Sequence, residues 1–170
     1  MEVWDLYNLS GEIIGEHIRG TELPEAGFHL VVHVWIKNSE GKYLMTQRSA
    51  NKPSFPFKWE CVGGSVLKGE DSIHAAVREV YEEVGISFGT EEGTLLFTKI
   101  RKTIDGKRYN DVVDVWLFQY DGEVQLKNAT TDEVAQVKWM SRDEIELFRQ
   151  EDKLVHSIKD LDYFFNEMDI

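Results

Sequence analysis

Four acidic side chains between positions 70 and 83 are the residues of this 170-residue chain best suited to chemistry: Glu70, Glu79, Glu82 and Glu83. Read as a helix over Asp71–Val84, at about 100° per residue, the segment puts Glu79, Glu82 and Glu83 on one side. Ile73, Ala76, Val77, Val80 and Val84 fall on the other. Carboxylates spaced i, i+3 and i+4 are surface neighbours and repel unless something neutralises them. A hard divalent cation does so through oxygen ligands, and Mg²⁺ commonly joins carboxylates to substrate phosphates. Arg78 can hold a carboxylate in a planar fork. Gly63 and Gly64 let the backbone turn tightly and approach a ligand, so a carbonyl there is a further candidate ligand. Three glutamates alone would more often be a solvated helix face, so the whole segment has to decide.

That segment, GSVLKGEDSIHAAVREVYEEVGI, resembles the Nudix hydrolase signature at every defined position: Gly64, Glu70, Arg78, Glu79, Val80, Glu82, Glu83, Gly85 and Ile86. Many members carry a proline before the paired glycines, where this chain has Val62. The resemblance implies an α/β fold, a Nudix-type α/β/α sandwich with a mixed central β-sheet. It implies a Mg²⁺-dependent hydrolase, with Mn²⁺ able to substitute, that cuts a diphosphate bond in a nucleoside diphosphate linked to another group. By the same resemblance Glu79, Glu82, Glu83 and the Gly63 carbonyl hold metal. Glu70 is an outer ligand or a partner to one, and Arg78 orients the carboxylates. The general base is Glu79 or Glu133, the latter in a loop before a late strand. Arg48, Lys58, Phe57 and Arg101 are candidate substrate contacts, with Lys52, Phe55 and Trp59 beside them.

The N-terminal extension and the HLVVHVWI strand resemble the branch that includes isopentenyl-diphosphate isomerases, in which a strand histidine, here His29, binds metal. The isomerase also needs a cysteine and a second histidine just past a tryptophan. This chain reads WECVGGS over 59–65, with Cys61 as its single cysteine, and the isomerase cysteine falls on the glycine pair. Hydrolysis is therefore the stronger expectation. Alternatives are an isomerase-like enzyme and a catalytically weak nucleotide-binding module.

A net charge of −12 repels nucleic-acid backbone and anionic lipid, which excludes a bulk nucleic-acid binder but not an enzyme for a small phosphorylated substrate. One cysteine forbids an intrachain disulfide. With no secretory leader and no membrane-length apolar run, the expectation is a cytoplasmic protein. Family members are often dimers, so a homodimer stays open.

The elements that must position these groups follow from periodicity and turn residues. Val3–Tyr7 and Ile13–Ile18 read as a hairpin, and Thr21–Gly27 as a linker. Residues 1–27 are expected to pack on the same domain as 28–170, the catalytic part. Phe28–Ile36 reads as a buried strand that pairs with Tyr43–Arg48 across the turn at 38–41. Trp59–Val62 reads as a short extended piece. Strands follow at Thr94–Arg101 and Val112–Tyr120, joined by Lys102–Asp111, and then at Val134–Met140. Ser141 can cap a helix to about Glu151, and a last helix is expected over Ile158–Glu167.

Overall fold

The computed structural model describes residues 1–168. Nine strands form one mixed sheet: β1 Val3–Tyr7, β2 Ile13–Ile18, β3 Phe28–Lys37, β4 Tyr43–Arg48, β5 Trp59–Glu60, β6 Val62–Ser65, β7 Thr94–Ile104, β8 Lys107–Gln119 and β9 Val134–Met140. Three α-helices accompany them: α1 Ser72–Val84, α2 Arg142–Gln150 and α3 Leu161–Met168. Single 3-10 turns lie at Thr90–Glu92, Leu126–Asn128 and His156–Ile158.

Strand β3 is the spine. It runs parallel to β8 over nine residue pairs, from His29↔Asp111 to Lys37↔Gln119. Its other edge pairs antiparallel with β6, from Val31↔Ser65 to Val34↔Val62. Because strand side chains alternate faces, Val32, Val34 and Ile36 pack with Ala75, Ala76, Val80 and Val84 of α1. Trp35 faces the opposite way, into a core with Ile145 of α2 and Leu161, Phe164 and Phe165 of α3. Helices thus cover both faces, as the α/β/α expectation requires. No helix among the described residues is long and apolar enough to cross a membrane.

Helix α1 starts at Asp71, whose side chain accepts from the His74 amide at 3.0 Å. Such a cap contributes about 1 kcal/mol. It stops at Gly85, which adopts φ 72°. A side chain there would also strike the backbone of Asn128 at 2.7 Å, so glycine is required twice over. Ser141 and Glu144 form a reciprocal capping box at the start of α2.

Several boundaries differ from the sequence reading. Strand β4 meets β3 at one pair only, Lys37↔Tyr43, and then pairs with β9 and β5. The expected β3–β4 ladder is replaced because β6 occupies that edge of β3. The turn expected at Asp105–Gly106 within the Lys102–Asp111 connection is present, but the rest of that connection is strand. Asp105 (φ 49°) and Gly106 (φ 77°) make a two-residue turn, so β7 and β8 run on to Ile104 and Lys107. Trp59–Val62 divides into β5 and the start of β6, and β6 itself contains both glycines. The last helix begins at Leu161, after the 3-10 turn at His156–Ile158. Strand β1 adds two pairs to β3, Leu6↔His29 and Tyr7↔Phe28, which ties the N-terminal hairpin to the sheet.

Candidate active site

The site forms where α1 crosses β6. Gly64 has no Cβ, and that space is filled by the Glu79 carboxylate: a Cβ would stand 2.2 Å from Oε1. Arg78 lies at the centre of a fixed network. Its Nε and Nη2 donate to the two oxygens of Glu70 at 2.8 and 2.9 Å. Its Nη1 donates to Glu79 Oε1 at 2.8 Å and to Glu82 Oε2 at 3.2 Å, and Nη2 also reaches the Ser65 carbonyl at 3.0 Å. Glu70 additionally accepts from the Leu67 amide. Although burial works to raise its pKa, the bonds from Arg78 and Leu67 prevail and hold it below the ordinary carboxylate value. The same network lifts Arg78 further above its already high value, with the bond to Glu70 foremost.

Glu79 and Glu83 behave oppositely. Desolvation pushes Glu79 up to about 7, against the pull of Arg78. Glu83 is buried, at 7% exposure, and makes no hydrogen bond to another described residue. Burial raises its pKa well above the usual range, and the fields of Glu60, Glu79 and Glu133 add to that rise, while Lys52 opposes them. The helical wheel placed Glu83 on the polar face. It lies instead at the margin between that face and the core, where α1 is pressed against the sheet.

Glu133 comes from the loop before β9. That loop is tied to the end of α1 by the amides of Thr130 and Thr131, both donating to the Glu82 carbonyl at 3.0 and 3.1 Å. Ser49 fixes its other end, donating its amide to the Glu133 carbonyl at 2.8 Å. Lys52 forms an ion pair with the Glu133 carboxylate. A cavity of about 590 Å³ opens between these parts, lined by Gly63, Gly64, Arg78, Glu79, Glu82 and Glu133, with Arg48 and Lys52 among its basic groups. The N-terminal hairpin contributes Glu2 and Arg19 to its wall.

A second cavity of about 310 Å³ shares Arg48 and the backbone of Gly63–Ser65 with the first. Arg101, a candidate substrate contact, lines it, paired with Asp111 through bonds of 2.8 and 2.6 Å. Arg48 is held by Glu60 at 2.6 Å. Burial raises the Glu60 pKa in spite of that pair. Two expected contacts lie elsewhere. Lys58 binds the Asp152 carboxylate at 3.1 Å, and Phe57 is 60% exposed; neither lines either cavity. Trp59 belongs to the core. Glu60, Asp111, Tyr109 and Arg19 went unnoticed in the sequence because strand residues and hairpin ends carry no local mark of a site. The alternation of Glu60 with buried Trp59 and Cys61 was the available signal.

The carboxylates fit a divalent cation. Among the described residues no three acidic, histidine or cysteine side chains already converge as a closed ligand set. The positive charge among Glu70, Glu79 and Glu82 is that of Arg78. But Glu83, a buried carboxyl with only other carboxyls and Lys52 in range, is left without compensation that hard oxygen-seeking cations provide.

A helix-borne acidic network beneath a glycine strand, inside an α/β/α sandwich, is the architecture of a diphosphate hydrolase, and the chain belongs to the Nudix family: the NUDIX domain model matches residues 27–161. Hydrolases of this family act on pyrophosphate bonds of nucleoside diphosphate derivatives and generally use divalent metal ions. The chain is 36% identical over 159 residues to an uncharacterised Nudix hydrolase of Listeria monocytogenes, covering 91% of this chain and 89% of that one. It is 31% identical over 146 residues to a chloroplastic isopentenyl-diphosphate Δ-isomerase of Arabidopsis thaliana, covering 77% of this chain and 50% of the isomerase. A crystal structure from Deinococcus radiodurans superposes with a TM-score of 0.73 at 21% identity, covering 91% and 93%, a likeness of fold.

Proposed function

We propose that this protein is a Mg²⁺-dependent hydrolase of a diphosphate bond in a nucleoside diphosphate linked to another group, with Mn²⁺ able to replace Mg²⁺. The observation that carries the reading is Glu83, a buried carboxyl facing Glu60, Glu79 and Glu133 with no hydrogen-bond donor of its own. Glu79, Glu82, Glu83 and the Gly63 carbonyl would hold the cation. A divalent cation, when bound, supplies positive charge against the growing charge on the diphosphate oxygens and acidifies water.

The chain's own residues divide the remaining work. Glu70 has both oxygens engaged by Arg78, which supports its role as the partner that orients that guanidinium over the role of outer metal ligand. Arg78 in turn fixes the Glu79 and Glu82 carboxylates. Glu79 and Glu133 both line the cavity and are the two candidate bases; in the metal-free protein burial pushes Glu79 up to about 7. Glu133 is engaged by Lys52, and both line the same cavity as Glu79. Arg48 and Lys52, which line the cavity, are the basic groups we assign to phosphate oxygens.

A panel of nucleoside diphosphate derivatives, assayed for phosphate-containing products by mass with and without Mg²⁺, tests the assignment. Metal-dependent cleavage is expected, with Glu83→Gln reducing turnover at least a hundredfold. Full turnover in that variant would sink the metal assignment. The isomerase alternative has no added support in the geometry: the single cysteine, Cys61, is buried in the core and lies outside the glycine pair where the isomerase cysteine would fall.

A further inference from the structure

One wall of the first cavity comes from outside the family domain. The hairpin β1–β2 ends before residue 27, where the domain match begins, and Glu2 and Arg19 line the cavity from it. The hairpin is fixed to the loop in front of α1. The Lys68 amide donates to the Val3 carbonyl at 2.9 Å, the Gly69 amide donates to Asp5 Oδ2 at 2.8 Å, and Lys68 forms an ion pair with Glu16. Glu70 ends that loop, so the hairpin and the Arg78 network share one support.

Arg19 stands just past the end of β2, with its amide donating to the Glu2 carbonyl at 3.0 Å. Its Nη1 donates to Glu2 Oε2 at 2.8 Å. Trp4 Nε1 donates to the other oxygen of Glu2 at 2.6 Å. The Trp4 ring in turn stacks on His29 of β3, which lines the second cavity beside His33. One end of the guanidinium is thereby tied to the sheet.

The other edge is open. Among the described residues, Nε and Nη2 of Arg19 meet no acceptor. The same edge of Arg78 grips both oxygens of Glu70. The remaining basic groups of the cavity are more fully engaged. All three nitrogens of Arg78 donate, as do all three of Arg48, to Ser54 and Glu60. Lys52 is taken by Glu133 and Lys68 by Glu16. The Arg19 side chain is 58% exposed, so a solute reaches it. Its charge interacts with those of Glu79 and Glu133, which line the same cavity. An exposed ion pair contributes little to stability, so stability does not account for an arginine held this way. A planar fork with two free donors matches two oxygens of one phosphate.

We propose that Arg19 is a substrate-binding residue that grips a phosphate of the diphosphate through its Nε–Nη2 edge, which makes the N-terminal hairpin part of the active site. The assignment rests on the hydrolase reading for the presence of a diphosphate in the first cavity; what it adds is a phosphate contact supplied from outside the family domain.

Methylenediphosphonate, whose carbon bridge resists hydrolysis, tests this by calorimetry with Mg²⁺ on the full chain. Arg19→Ala should weaken its binding about tenfold, and Arg19→Lys, which keeps the charge without the fork, should recover only part of the loss. The ¹⁵Nε resonance of Arg19 should shift when methylenediphosphonate and Mg²⁺ are added together. Urea midpoints of both variants should stay at the parent value, because the pair with Glu2 is exposed. In turnover, Arg19→Ala should raise KM about tenfold. Equal affinity of the parent and Arg19→Ala for methylenediphosphonate overturns the proposal, as does a parent that shows no Mg²⁺-dependent binding of it. A KM raised while methylenediphosphonate affinity holds would move the contact to another group of the substrate, and overturns it too. Arg19-dependent binding with no Mg²⁺-dependent cleavage of any substrate would support the contact and defeat the hydrolase reading. Mg²⁺-dependent cleavage with KM and methylenediphosphonate affinity untouched by Arg19→Ala would defeat the contact alone.

Discussion

Replacing Gly64 by alanine separates the chemistry of the site from its stability. The new Cβ would lie 2.2 Å from Glu79 Oε1, 2.3 Å from Cδ and 2.7 Å from Oε2, where ordinary van der Waals contact begins at 3.4 Å. The carboxylate must therefore retreat by about 1.2 Å at its nearest atom. It is the free end of a side chain, so the fold gives way easily and stability should change by less than about 1 kcal/mol. The retreat breaks the 2.8 Å bond to Arg78 and moves the candidate base. Misplacement on that scale costs on the order of a hundredfold in rate, or about 2.7 kcal/mol of transition-state stabilisation. Gly63→Ala is the contrast, because its Cβ would strike the Val32 carbonyl, a backbone atom, at 2.5 Å. That variant should lose about 1–3 kcal/mol of stability. Urea unfolding and kcat/KM for the best substrate of the panel, measured on both variants, decide the matter. A Gly64→Ala enzyme within threefold of the parent, or one destabilised as much as Gly63→Ala, refutes the reasoning.

Other perturbations follow from the same geometry. Glu83→Gln should stabilise the metal-free protein at pH 8 by about 1–3 kcal/mol, since folding otherwise has either to bury an uncompensated charge or to protonate Glu83. Its sign is set by a folded pKa raised above the unfolded value: both states hold the proton at low pH, and the cost grows as pH rises from the unfolded pKa toward the folded one, so the advantage of the variant should vanish near pH 5. Urea midpoints in EDTA across that range measure it, and Mg²⁺ should reverse the order by stabilising only the parent. Arg78→Lys keeps the charge but loses the fork to Glu70, and should reduce kcat about a hundredfold; unchanged kcat would show that charge alone suffices. Cys61, buried and with its thiol pushed well up, should stay silent to a disulfide reagent at pH 8 until guanidinium unfolds the chain, when one thiol per chain appears.

The acidic network was legible because its signal is local: spacing on one helix, a capping aspartate and a terminal glycine. The N-terminal hairpin and β9 were equally plain from period-two runs between turn residues. What escaped depends on partners distant in sequence. Nothing in Tyr43–Arg48 reveals that β6, not β4, fills the edge of β3. Glu83 was assigned to a polar face because a wheel knows the helix and not the sheet beneath it. Lys58 and Phe57 were drawn toward the site by their nearness to Trp59, but Asp152 claims the lysine and the turn aims Phe57 outward. Arg101 was chosen for its charge, which Asp111 then cancels from the facing strand.

Strand β3 also sets where the chain can change length. Its alternate residues serve two different cores, and its two edges are held in register by β6 and β8. Loss of one residue before Val32 would exchange those faces, bringing the His33 imidazole under α1 and a valine to the second cavity. An inserted residue in the exposed turn at 38–41 would disturb neither ladder. Tolerance to insertion and deletion should thus fall to nothing across ten residues and recover at once beyond them, a boundary drawn by pairing rather than by nearness to the reacting groups.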